Sequence, residues 1–157
     1  MSVFVCMKTK HIKLTKELLA ELYPQYNEMY FDGELPAACE FHLIPKTVRG
    51  AFGFYREKTD RKGRIIPRIW MSTAIAWTDE LLREVLVHEM IHLYNARVEK
   101  RTWFGILGHG RCFRRKARKI TRQHGLKFRR FKTSEYTDGT TYTPKWWEIV
   151  ISLLVDW

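Results

Sequence analysis

The chain has 157 residues, 45% of them hydrophobic, enough for one globular domain with a sizeable core over residues 1–157. Its 28 basic and 17 acidic side chains leave a formal net charge of +11, and its three cysteines, Cys6, Cys39 and Cys112, are too few and too scattered for a disulfide-stapled secreted scaffold. No apolar run reaches the roughly 18–20 residues that span a bilayer, and the start lacks the features of a signal peptide, so an intracellular protein, cytoplasmic or nucleoid-associated, is expected.

In chain order, Leu14 to Tyr30 carries a helical stripe of Leu18, Leu19, Leu22, Tyr23, Tyr26, Met29 and Tyr30, with Pro24 placed to kink or divide it. Asp32-Gly33 reads as a turn. Three strands are expected over Cys39–Ile44, Gly50–Arg56 and Arg64–Met71, the last two joined by a hairpin turn at Thr59–Gly63. Pro67 in the third suits an edge or a bulge. A capped helix follows, with Thr78 at the cap, Asp79 and Glu80 in the first turn, and an apolar surface of Leu81, Leu82, Val85, Leu86, Met90, Ile91 and Leu93. A second helix is expected from about Gly110 to His124, stopped by Gly125, with Leu126 to Arg129 as a short strand. The fold class is α+β: a small antiparallel sheet packed on the capped helix, with further helices.

The capped helix contains His88-Glu89-Met90-Ile91-His92. Positions i and i+4 share a helix face, so His88 and His92 can offer two imidazoles to one zinc ion. Glu89, beside the first, is placed to act as general base on a metal-activated water. A lone histidine on an apolar helix is usually a hydrogen-bonded core residue, but the paired spacing on a capped helix favours the metal. A catalytic zinc needs a third protein ligand. Asn95 and Val98 stand where an extended H-E-x-x-H-x-x-G-x-x-H motif would need Gly and His. Glu99, the only acid between His92 and Phe131, is poorly placed to turn back. His109, between Gly108 and Gly110, is the expected ligand, with His124 as the alternative. His11 and His42 have no evident part.

All the excess charge lies in residues 111–132, with eleven bases and no acid, leaving 17 of each elsewhere. Arg111, Arg114, Arg115, Arg118, Lys119 and Arg122 line the expected second helix, and Lys127, Arg129 and Arg130 follow it. Solvated faces normally mix signs, so an unbroken positive one implies an anionic partner, with DNA phosphate foremost and an anionic membrane or acidic protein as alternatives. Trp103 and Phe104 could stack unpaired nucleotides or simply pack over the helix.

His88-Glu89-Met90-Ile91-His92, then Gly108-His109-Gly110 and Phe113, resembles the SprT-like metalloprotease family, which includes the Spartan-type proteases that degrade proteins crosslinked to DNA. Tyr30-Phe31-Asp32-Gly33-Glu34-Leu35-Pro36 is similar to a second family motif. The likeness runs from about Leu14 to Gly125. It implies a zincin-like domain, one zinc ion on His88, His92 and His109, and Glu89 as catalytic base. The chain departs from the family at its end: bacterial relatives often carry a Cys-x-x-Cys zinc ribbon, whereas here a Trp-rich segment, residues 145–157, takes its place.

Three readings compete at this level. One is a zinc endopeptidase acting on proteins bound to DNA, in single-stranded form or with single-stranded character. Another is a zinc peptidase with an acidic protein partner, and the last is a nucleic-acid-binding module with structural zinc. The third strand is the expected edge on which a substrate backbone could add as a further strand.

Overall fold

Helix α1, Lys16–Phe31, starts at Thr15, whose hydroxyl accepts the Leu18 amide at 3.1 Å. Pro24 lies within this helix and does not divide it. The computed structural model describes residues 11–48, 51–100 and 109–128. After α1 come β1 (Glu40–Ile44), β2 (Gly53–Thr59), β3 (Ile65–Ser72), α2 (Asp79–Arg97) and α3 (Arg111–His124). The order and content are α+β, as expected.

The helix stop at the end of α1 explains the Tyr30–Pro36 motif. Asp32 and Gly33 take left-handed φ values of 56° and 71°, and the Gly33 amide bonds back to the Asn27 carbonyl at 3.1 Å. The Asn27 side chain then grips the returning chain twice, accepting from the Leu35 amide and donating to the Leu35 carbonyl, both at 3.1 Å. Tyr23 donates its hydroxyl to the Pro36 carbonyl at 2.7 Å. These residues are scaffold: they lock the exit from α1 so that Phe31 packs 5.8 Å from the Tyr94 ring of α2.

The sheet corrects two expectations. Its strand order is β1-β3-β2, with β1 parallel to β3 and β2 antiparallel to it, so it is mixed rather than antiparallel. The cause is connection length. Only the tight turn after Thr59, where the Asp60 carboxylate accepts the Lys62 and Arg64 amides and Gly63 has φ 75°, makes a hairpin. The longer link after β1 leaves that strand on the far side of β3. The third strand is therefore central and cannot accept a substrate strand along its length. Pro67 still sits where a missing N–H does no harm. β1 begins pairing at Arg68, so Pro67 has a neighbour only on the β2 side, at Glu57.

One sheet face carries Phe41, Leu43, Ile69, Met71 and Tyr55 into the core that the helices complete. The other face stacks His42, Trp70 and Phe54 across the three strands, at centroid separations of 4.3 and 5.5 Å. α2 runs through the middle of the molecule, buried on nearly all sides. Thr78 caps it as expected, accepting the Leu81 amide at 3.2 Å. α3 packs on α2 through Phe113, Ala117 and Ile120, and Gly125 closes it with φ 71°. Leu126 to Phe128 is irregular rather than a strand: the Leu126 carbonyl is held by the Thr121 hydroxyl at 2.7 Å, and nothing pairs with it as a ladder among the described residues. Cys6, Trp103, Phe104, Arg129, Arg130 and the Trp-rich segment lie outside the described residues.

Candidate metal centre

On α2, the i,i+4 spacing puts the His88 and His92 rings side by side with their Nε2 atoms 3.3 Å apart. His109 precedes α3, whose N-cap is Gly110, and brings its Nε2 to 2.8 Å from that of His88. The ligand-capable atoms of the three residues all lie within 4.8 Å of one another, and among the described residues this is the group of histidines, cysteines and acids that could hold a metal ion. Two nitrogens on one tetrahedral zinc at about 2.0–2.1 Å would stand roughly 3.3–3.4 Å apart, so the spacing within α2 fits and that to His109 is tighter.

The chemistry of the donor set fits too. Burial, reinforced by His109, lowers the His88 pKa to about 3, and burial with His88 and His109 beside it holds His92 well below the usual range. Both rings are therefore neutral, the form that binds metal. Neutral imidazoles with converging Nε2 atoms satisfy one another poorly, since each nitrogen is either a lone pair or an N–H. A shared cation would accept a lone pair from each of the three.

Two aromatic rings flank the triad. Phe113 of α3 lies against all three imidazoles, and the Phe128 ring is 6.5 Å from that of His88. Glu89 is 5% exposed and faces β2, where a Cβ built on Gly53 would stand 3.5 Å from its Cγ. β2 runs alongside α2 in the same sense, from Gly53 opposite Glu89 to Glu57, whose carboxylate is 3.8 Å from Arg97.

The alternatives fall elsewhere. His124 meets the Tyr30 ring edge-on at 5.0 Å, His42 is stacked on Trp70, and His11 is exposed. Of the basic residues, Arg111, Arg114, Arg118 and Arg122 are exposed along one face of α3, Arg118 donating to the Arg114 carbonyl at 3.1 Å. Arg115 is bonded to Glu99, and Lys119 lies 3.8 Å from Asp32. Lys127 is exposed. Lys116, counted among the eleven bases, turns inward instead: it is 5% exposed, with its ammonium 3.9 Å from the centre of the Tyr94 ring, and burial lowers its pKa.

Sequence reasoning missed Gly53, Lys116 and the contact role of Phe113. An isolated glycine inside a strand signals close approach, and Phe113 is one helical turn beyond His109, so two of the three left a trace.

The SprT-like family model matches residues 8–141, most of the chain. The chain belongs to the SprT-like family. A comparison with curated proteins gives no match. An SprT-like chain is a metallopeptidase-type domain, and the histidine cluster lies inside the matched region. Its Tyr30–Pro36 motif is also within the match and serves the scaffold described above. No described helix of this SprT-like chain is long and apolar enough to cross a membrane.

Proposed function

We propose that the chain is a DNA-associated zinc endopeptidase that cleaves proteins bound or crosslinked to DNA. The observation that carries this reading is the convergence of three imidazoles, the first of them adjoining Glu89 in sequence, at the start of the helix that bears the basic face. His88, His92 and His109 would hold one zinc ion. When bound, the ion would polarise a peptide carbonyl and draw the pKa of a coordinated water towards neutrality.

The remaining work falls to the chain. Glu89 takes the proton from the attacking water and delivers it to the leaving amine, and its buried position against β2 fixes where its carboxylate can reach. The edge of β2 away from β3, which has no strand partner among the described residues, is the place for a substrate backbone. The Ser72 amide bonds to the Phe52 carbonyl at 2.9 Å, which sets the alternation of the ladder. By that alternation Phe54, Arg56 and Lys58 turn their backbone groups to β3, and Gly53, Tyr55 and Glu57 turn theirs away. An extended peptide added there would pass Glu89 at Gly53. Arg111, Arg114, Arg118 and Arg122 hold DNA phosphates on the helix that begins just after His109, so that proteins already on DNA are presented to the metal.

The test is cleavage of a DNA-binding protein by zinc-loaded enzyme, with and without single-stranded and double-stranded DNA, and with Glu89→Gln as control. Cleavage that requires both DNA and Glu89 is expected. Glu89-dependent cleavage indifferent to DNA would point instead to an acidic protein partner. No cleavage with zinc and DNA both bound would overturn the peptidase reading in favour of a structural zinc.

A further inference from the structure

The four rings at the metal centre form a nearly regular tetrahedron. The three histidine centroids are 5.1, 4.8 and 5.1 Å apart, and that of Phe113 lies 4.8, 4.8 and 4.6 Å from those of His88, His92 and His109. Phe113 thus takes the fourth vertex. A phenyl ring has no lone pair and no N–H or O–H, so it supplies neither a zinc ligand nor a conventional hydrogen bond to an imidazole. What it can do is limit where the imidazoles turn and keep water from the volume it fills.

We infer that Phe113 is a positioning residue for the metal: it fixes the tilt of all three imidazoles together and closes one side of the ion to water. The inference rests on the zinc reading above. The ring is well anchored for this work. It is 5% exposed, belongs to the buried face of α3 with Ala117 and Ile120, and meets His109 nearly at right angles, at 88°. The exposed His109 stands one helical turn before it, at the end of the segment that joins α2 to α3. Phe113 lies against the rings from both helices, so a single side chain couples the ligand pair on α2 to the separate ligand before α3. Outer-shell groups usually act on ligands one at a time through hydrogen bonds. Here one apolar ring acts on three by shape.

The experiment titrates the metal-free full-length chain with cobalt(II) against a chelator of known affinity and records the visible spectrum, for wild type, Phe113→Leu, Phe113→Met and Ile120→Val. Four-coordinate cobalt absorbs strongly in the visible, and six-coordinate cobalt weakly. Both Phe113 variants are expected to lose about 10–100-fold in cobalt affinity, the range for outer-shell groups, and to lose visible intensity as water enters. Ile120→Val, in the same buried face two turns on, should lower the melting temperature of the metal-free protein and leave affinity and spectrum alone. Wild-type affinity and spectrum in whichever Phe113 variant folds, even with a lowered melting temperature, would reduce Phe113 to a core residue and overturn the inference. Failure of the wild type itself to bind cobalt would instead remove the metal reading and this inference with it.

Discussion

Gly53 of β2 and Glu89 of α2 are in direct apposition: a methyl group at Gly53 would stand 3.5 Å from the Glu89 Cγ, 2.9 Å from the Met71 sulfur and 2.7 Å from the Trp70 carbonyl oxygen. The last of these neighbours is backbone, which cannot swing away. Gly53→Ala should therefore cost about 1–3 kcal/mol, the usual range for overpacking. A lowered denaturant midpoint is the expected reading. An unchanged one would show that β2 lifts from β3 without penalty.

Glu89→Gln is expected to keep bound zinc and abolish cleavage, because the amide preserves shape but cannot accept a proton. His88→Ala should lose both, since it removes the imidazole nearest each of the other two. Metal content and peptide cleavage, measured on the same preparations, separate the two outcomes. Residual proteolysis in Glu89→Gln would take the base assignment away from Glu89.

Removing zinc by chelation should lower the melting temperature of the wild type and leave that of His88→Ala unmoved. A ligand at one hundred times its Kd stabilises the native state by about 2.7 kcal/mol. Equal shifts in the two proteins would place the bound ion at some other site.

On the edge of β2 away from β3, Glu57→Pro removes an outward-facing N–H without breaking the ladder to β3. Cleavage of long peptides should fall well below that of Glu57→Ala, which shares the loss of the Arg97 ion pair and of the acceptor for the Tyr55 hydroxyl. Equal activity in the two variants would argue that substrate does not add to this edge. Proline at Ile69, by contrast, should unfold the sheet, because β3 is paired on both sides there.

For DNA, Arg114→Gln with Arg118→Gln should flatten the dependence of log affinity on log salt by about 2, roughly one unit for each phosphate that is no longer neutralised. Arg115→Gln should change it less, since Glu99 already faces that guanidinium. If the Arg115 variant had the larger effect, the nucleic acid would have to approach from the Glu99 side.

Much of the site is legible in the chain because its determinants are local. The four-residue spacing of His88 and His92, the Thr78 cap and the Gly125 stop are decided within a turn or two of helix, and the structure shows each in place. The convergence of His109 on that pair, expected from its flanking glycines, is also present. Non-local choices are harder to see. Which strand lies between the other two depends on a crossover that alternation does not encode, so β3 reads as an edge until its two neighbours are known. Lys116 reads as one more base on a positive face, yet Phe31 and Tyr94, distant in sequence, offer its ammonium two rings and draw it inward. Leu126 and Phe128 alternate like a strand, but a side-chain bond from Thr121 and the site itself claim that segment.

The proposed ligands are divided between two helices, two on α2 and one just before α3. An ion bound by all three raises the free energy needed for α3 to come away from α2, because that opening would also break a coordination bond. The same helix carries Arg111, Arg114, Arg118 and Arg122. Metal loading would then slow amide hydrogen exchange along α3 and stiffen the surface proposed to meet DNA. The ion would serve as a clasp for the basic face of α3 as well as a reagent for the peptide.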